Sequence, residues 1–226
     1  MRKSLITSVA IVVMALSVPL QGEDFEWEAY DFGHVAIDFD IFHTYAYVNN
    51  TDRPLKILEA EANCDCTTIR LLDSLLDPGD TAFIELTFNT RDYYGPTSKS
   101  FTVVTDNTEL PKMKYFYLST IGQWFHGMKP NPMSLFFLPG KKSQKVLIPN
   151  RAFDRIRINQ VEQYDSTFVV KAAIESADKS DFLVLEVSPA DNLSKGTFLS
   201  SFTVEIELAG EEKPAVLTFP VKIVRY

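Results

Sequence analysis

Only two of the 226 residues are cysteine and only three are histidine. Cys64 and Cys66 stand one residue apart, and His34, His43 and His126 are scattered without the spacing of a ligand set. A structural zinc site needs four such ligands at close spacing, so zinc is not expected as an organising element. Glycine is also scarce, at nine residues, and none of it clusters into a phosphate-cradling loop. Nucleophile signatures are missing: there is no Gly-x-Ser-x-Gly, no Ser-x-x-Lys with Lys-Thr-Gly, and no His-Glu-x-x-His. These absences point away from an enzyme. The numerous carboxylates do not reverse that reading. Asp38 and Asp40 lie on the polar side of a strand pattern, and nothing suggests the cleft a glycosidase needs. The runs Asp77/Asp80 and Asp178/Asp181 lack the alternating oxygen ligands of a calcium loop. Basic clusters are lacking too. The formal net charge is −8, which argues against nucleic acid and against anionic membranes as partners.

One long apolar run exists, and it is N-terminal. Arg2 and Lys3 precede Leu5 to Leu16, Pro19 breaks any helix, and Leu20-Gln21-Gly22 offers a cleavage site before Glu23. The run is short for a membrane span and suits a cleaved signal peptide over residues 1–22. The expectation is therefore an exported chain, periplasmic or extracellular, with no membrane span in its mature form. No cofactor is expected. The sequons Asn49-Asn50-Thr51 and Asn192-Leu193-Ser194 read as plain turn residues.

Beyond the signal, the chain repeats itself. Asn49 and Asn150 stand 101 positions apart, as do Leu55-Lys56-Ile57 and Ile156-Arg157-Ile158, and Gly95 and Gly196. Ser100-Phe101-Thr102-Val103 recurs without change as Ser201-Phe202-Thr203-Val204. At the same offset Tyr115 to Thr120 falls on Val216 to Val221. Such self-similarity marks two copies of one unit. The copies are expected at 23–122 and 133–226, joined by a linker at 123–132 that carries Gly127, Pro130 and Pro132.

Each copy reads as a series of short strands. Val35, Ile37, Phe39 and Ile41 alternate with Ala36, Asp38 and Asp40, and Tyr45 and Tyr47 keep the parity, as in a half-buried strand. Asp77-Pro78-Gly79-Asp80 is a turn, and Ala82, Ile84, Leu86 and Phe88 alternate again. Arg70 to Leu76 could form one helical turn, and Ala173 to Asp181 reads as a loop. About seven strands per copy give an all-β chain of two tandem immunoglobulin-like antiparallel β-sandwiches. The Cys…Trp…Cys signature of antibody domains is absent.

The first copy resembles a bacterial immunoglobulin-like domain family of unknown function, related in fold to the major-sperm-protein and abnormal-spindle/hydin domains. The residues that carry the resemblance are Phe32-Gly33-x-Val35, Tyr47-Val48-Asn49-Asn50, Pro54-Leu55-x-Ile57 and Cys64-x-Cys66-Thr67. They continue with Pro78-Gly79, Ile84-x-Leu86-x-Phe88-Asn89-Thr90, Gly95 and Lys99-x-Phe101-x-Val103. The match runs over residues 25–122. Asp65 departs from it, since the family commonly has glycine there. The second copy follows the strand pattern only and lacks the cysteine pair. The resemblance implies export by a bacterium, often of the Bacteroidetes type, and implies no activity.

Three chemistries remain open for Cys64 and Cys66: a structural pair closing a turn, a redox or partner-pairing site, and a soft-metal site for Cu(I). Trp124-Phe125, in the linker, is the other candidate binding element, as an exposed aromatic patch or as a brace between the copies. The function expected is binding or scaffolding of an unidentified protein partner, by loops or by open sheet edges that accept a further strand. The alternative is a thiol-dependent copper or redox role.

Overall fold

A computed structural model describes residues 27–110 and 112–226. The expected signal segment 1–22 lies outside the described residues. The fold is all-β. The first half of the chain forms β1 (Trp27–Val35), β2 (Asp40–Val48), β3 (Leu55–Ala62), β4 (Thr67–Leu71), β5 (Leu75–Leu76), β6 (Thr81–Asn89), β7 (Gly95–Thr105) and β8 (Met113–Ile121). The second half forms β9 (Leu135–Phe137), β10 (Gln144–Pro149), β11 (Arg155–Gln163), β12 (Phe168–Ile174), β13 (Ser176–Asp178), β14 (Phe182–Pro189), β15 (Gly196–Leu208) and β16 (Ala215–Arg225).

Two three-stranded sheets, β2-β6-β4 and β10-β14-β12, each face one part of a ten-stranded sheet. That sheet runs β13-β11-β15-β16-β1-β8-β7-β3-β5, with β9 beside β16. Pairing is antiparallel except where β1 joins β8 and β16 and where β9 joins β16. The alternation read from sequence places the core: Ala82, Ile84, Leu86 and Phe88 are all fully buried. Buried apolar residues fall into two separate clusters, one built from β1 to β8 and the other from Met128 and β9 to β16.

Several hydrogen bonds recur in the two halves of the chain. Asn49 donates to the carbonyls of Arg53 and Leu76, and Asn150 donates to those of Phe153 and Ala177. Both asparagines are buried, and each holds down the loop that follows its strand. The turns repeat too: Gly79 N–H reaches Asn49 O at 2.9 Å, and Ser180 N–H reaches Asn150 O at 2.9 Å.

Several local expectations fail. The alternation from Val35 to Ile41 is broken, because the chain crosses between sheets at Ala36–Phe39, with Asp38 at φ 69° and Ile37 exposed. Arg70–Leu76 holds the end of β4 and the short β5 rather than a helical turn, and β13 lies within the expected loop Ala173–Asp181. The last strands do not align at the common offset. Phe101 pairs with Tyr115, whereas Phe202 pairs with Phe219, so the second hairpin is three residues longer and Tyr115 corresponds to Phe219. The ring stacks confirm the register, at 4.8 Å for Phe101–Tyr115 and 4.9 Å for Phe202–Phe219.

β1 ties the halves together. Its His34 and Val35 pair with Leu217 and Thr218 of β16, and the Thr218 hydroxyl donates to Phe32 O at 2.6 Å. Gly33 permits this approach. A Cβ there would sit 2.1 Å from Val216 O, and φ is +60°, a region other residues enter at a cost.

Candidate functional site

The first half has an open side. Among the described residues, β3 is paired along one edge by β7, its other edge meets only β5, at Leu55 and Lys56, and β4 is paired only by β6. The free edges of β3 and β4 lie on either side of a groove of about 600 Å³, closed at one end by the Cys64–Cys66 turn. Ala60, Ala62 and Ile69 are half-buried against the core and form its apolar base. Glu61 and Asp65 line it, with Glu59 next along β3, and all three are exposed. The Glu61 carboxyl is held above its ordinary pKa by a hydrogen bond with Glu59 and by the charge of that neighbour. No lysine or arginine stands among the described residues that line it, so the groove is acidic as well as edge-lined.

Cys64 and Cys66 form a disulfide with Cα atoms 5.2 Å apart. Disulfide sulfurs are not thiolates, so a soft metal could bind here only after reduction. Among the described residues no group of three or more His, Cys, Asp or Glu is placed to hold a metal ion. Beneath the disulfide, the Thr67 hydroxyl lies 3.5 Å from Cys64 Sγ and 3.6 Å from Cys66 Sγ, and it hydrogen-bonds the Tyr117 hydroxyl. Both are buried, and burial pushes the Tyr117 phenol up to about 12. A neutral phenol can donate to Thr67 Oγ1, which leaves the threonine proton directed at a sulfur.

Trp124 and Phe125 are placed elsewhere. Both are half-buried and pack against the second cluster. The Phe125 ring stacks on Phe153 at 6.1 Å and lies 6.0 Å from His34, whose Nδ1 is 2.9 Å from Gln123 O. Phe125 therefore touches a residue of each half, His34 and Phe153. The structure thus joins Cys64 to Cys66 and does not bring the aromatic pair to them.

A second polar cluster was not legible in sequence. Tyr30 and His43 stack with ring centroids 3.5 Å apart, and the Tyr30 hydroxyl donates to Thr203 Oγ1 at 3.3 Å. Ser201 Oγ accepts from Phe42 N–H at 3.0 Å and donates to Phe42 O at 3.2 Å. Burial lowers the His43 pKa to about 4. Glu162 lies 3.7 Å from His43 Nδ1, but it is half exposed and too well solvated to hold a proton on the ring. The partners lie in opposite halves of the chain, so no local pattern announces them.

Residues 24–120 match a family described as "Protein of unknown function (DUF1573)", and the second half lies outside that match. No curated protein matches the chain. Among solved structures it is similar to a protein of unknown function from Porphyromonas gingivalis W83, at 9% identity, covering 85% of this chain and 96% of that one, with a TM-score of 0.34. It is similar to the CupB2 chaperone of Pseudomonas aeruginosa at 9% identity, covering 83% and 96%, with a TM-score of 0.31. The secreted serine protease VesC from Vibrio cholerae matches at 9% identity over 86% of this chain and 49% of its own, with a TM-score of 0.35. Likenesses this low carry no function across.

Proposed function

We propose that this chain is an exported, non-enzymatic binding or scaffold protein of the bacterial cell envelope, cleaved after a signal at 1–22. Its mature part is two tandem domains, 23–122 and 133–226, and its partner is a protein that adds an extended segment to the groove between β3 and β4. The observation that carries this reading is the pair of free strand edges flanking an apolar-based groove. An added strand gains backbone hydrogen bonds from an edge and specificity from alternate side chains. Glu59, Glu61 and Asp65 select a segment with lysine or arginine at such positions.

The test is a titration of isotope-labelled protein with a short peptide alternating lysine and valine. Amide shifts confined to Leu58–Asp65 and Thr67–Leu71, and lost in the variant E59K/E61K, are expected. Shifts located elsewhere, or unchanged by charge reversal, would refute the groove as the site.

A second reading, a thiol-dependent redox or copper role at Cys64/Cys66, is favoured by one observation. The hydroxyl pair Thr67/Tyr117 beneath the disulfide has only apolar counterparts, Phe168 and Val221, in the second half. In the redox form, a partner dithiol would give two electrons and two protons to the disulfide, leaving two thiols here and a disulfide on the partner.

A further inference from the structure

The second half carries a cleft whose charge runs against that of the molecule. It lies at the end of the sheet β10-β14-β12, has a volume of about 660 Å³, and is lined by Lys141, Lys142, Lys171 and Arg225. One carboxylate, Asp191, shares the lining, and Glu186 is the cross-strand neighbour of Lys171. Four cations against these two carboxylates stand out in a chain of formal net charge −8.

The cations differ in how firmly they are set. Arg225 is half-buried, and one guanidinium N–H donates to Ala190 O at 3.3 Å, so the remaining donors are held in place. Lys141 Nζ donates to Gln144 Oε1 at 2.9 Å and lies over the Phe137 ring at 5.7 Å. Lys142 and Lys171 make no ion pair among the described residues and are free to converge. The walls include Val169, Pro189 and Ala190, which lower the local dielectric and strengthen each charge.

The first half offers a control within the molecule. The counterpart of Lys171 is Arg70, which is already engaged by Glu85. The counterpart of Arg225 is Ile121, and that of Asp191 is Thr90. The same corner of the same fold is there neutralised, so the basic cleft is not a requirement of the architecture.

We infer that this cleft binds an anion carrying at least two phosphate or sulfate groups. Arg225 serves as the fixed anchor, because guanidinium forks match oxyanions in two-point contacts, and Lys142 and Lys171 close on the second group. One inorganic ion would leave most of the volume unused. The groups could come from a free oligophosphate or from the pendant sulfates of an envelope glycan.

Isothermal titration of the full chain with inorganic phosphate, tripolyphosphate and a sulfated tetrasaccharide tests the assignment. Tripolyphosphate or the tetrasaccharide is expected to bind at low salt, to weaken as salt rises, and to lose about tenfold in affinity in K142E/K171E. The control K129E/K213E makes the same change in net charge at two residues outside the lining and is expected to bind as the parent does. Tighter binding of one of the two polyanions identifies its source. The inference is overturned by no heat with either polyanion, by inorganic phosphate binding as tightly as both, or by equal losses in the two double variants.

Discussion

The turn Cys64-Asp65-Cys66 and the turn Asp165-Ser166-Thr167 hold the same place in the two halves. Asn63 N–H bonds to Ser100 O before the first, and Tyr164 N–H bonds to Ser201 O before the second. Asn89 N–H caps Cys66 O and Ala190 N–H caps Thr167 O, each at 2.8 Å. One turn is closed by a covalent bond. The other is closed by Asp165 Oδ1, which accepts from the Thr167 amide at 2.9 Å and from its hydroxyl at 2.5 Å. The sides of the two halves differ in step with the turns. Gln163 bridges the gap in the second half: its Oε1 accepts from Val170 N–H at 2.8 Å and its amide donates to Phe168 O at 3.2 Å. Ala62 occupies that place in the first half and cannot reach across, so the groove stays open. The fold therefore needs a closed turn and does not need an open side. The open side, the disulfide and the hydroxyls beneath it are what the first half adds.

The largest test of the comparison removes what the halves share. Asn49→Ala and Asn150→Ala each strip buried side-chain bonds and leave backbone groups unsatisfied, at a cost of about 2–4 kcal/mol. Only two register pairs join β1 to β16. Calorimetry is accordingly expected to show N49A lowering one unfolding transition and N150A the other. If each variant moves a single common transition, the composite sheet is one cooperative unit and the division into two parts fails.

Acid sharpens the comparison next. His43 has Gln144 as its counterpart, so its protonation affects the first half and its junction with the second. The folded-state pKa is about 4 against 6.5 for the free side chain, so the unfolded chain takes up the proton first. Stability is then present in full above pH 6.5, is lost as pH falls towards 4, and declines no further from this residue below that. The loss is on the order of 3 kcal/mol at most. His43→Gln should flatten the pH dependence of denaturant midpoints across this window. A parent and variant with parallel profiles would remove His43 from the account.

What could be read from the sequence was local. Period-two alternation from Ala82 to Phe88 and the Asp77–Asp80 turn depend on neighbours in the chain, and the repeated asparagines mark equivalent turns. Four features depend on pairings and approaches that spacing does not show and were not legible. The crossing at Ala36–Phe39 follows from β1 lying in one sheet and β2 in another. The three-residue extension of the second hairpin shows only in the register. Gly33 stands in a recognisable motif, yet the atom that forbids a Cβ there belongs to Val216. Spacing alone left Cys64 and Cys66 with three chemistries, because pairing is decided by the turn that β3 and β4 impose on them.

The smallest expected effect is the most discriminating. A disulfide spanning so short a loop restrains the unfolded chain little, so C64S/C66S is expected to cost only about 1–2 kcal/mol. Asp165→Ala removes two bonds from the matching turn and should cost a similar amount, about 1–2 kcal/mol. Equal losses by chemical denaturation, with peptide titration of the groove unchanged in C64S/C66S, would make both turns structural closures of equal rank. A small stability loss together with loss of binding would separate them, because the second half folds its turn without sulfur. Thr67→Val then decides between the remaining roles. It keeps the volume and removes the hydroxyl that faces both sulfurs. If the rate of disulfide reduction by a dithiol changes in T67V while groove binding does not, the hydroxyl pair serves the sulfur chemistry. If binding falls and the reduction rate holds, Thr67 and Tyr117 shape the end of the groove, and the disulfide is its covalent stop.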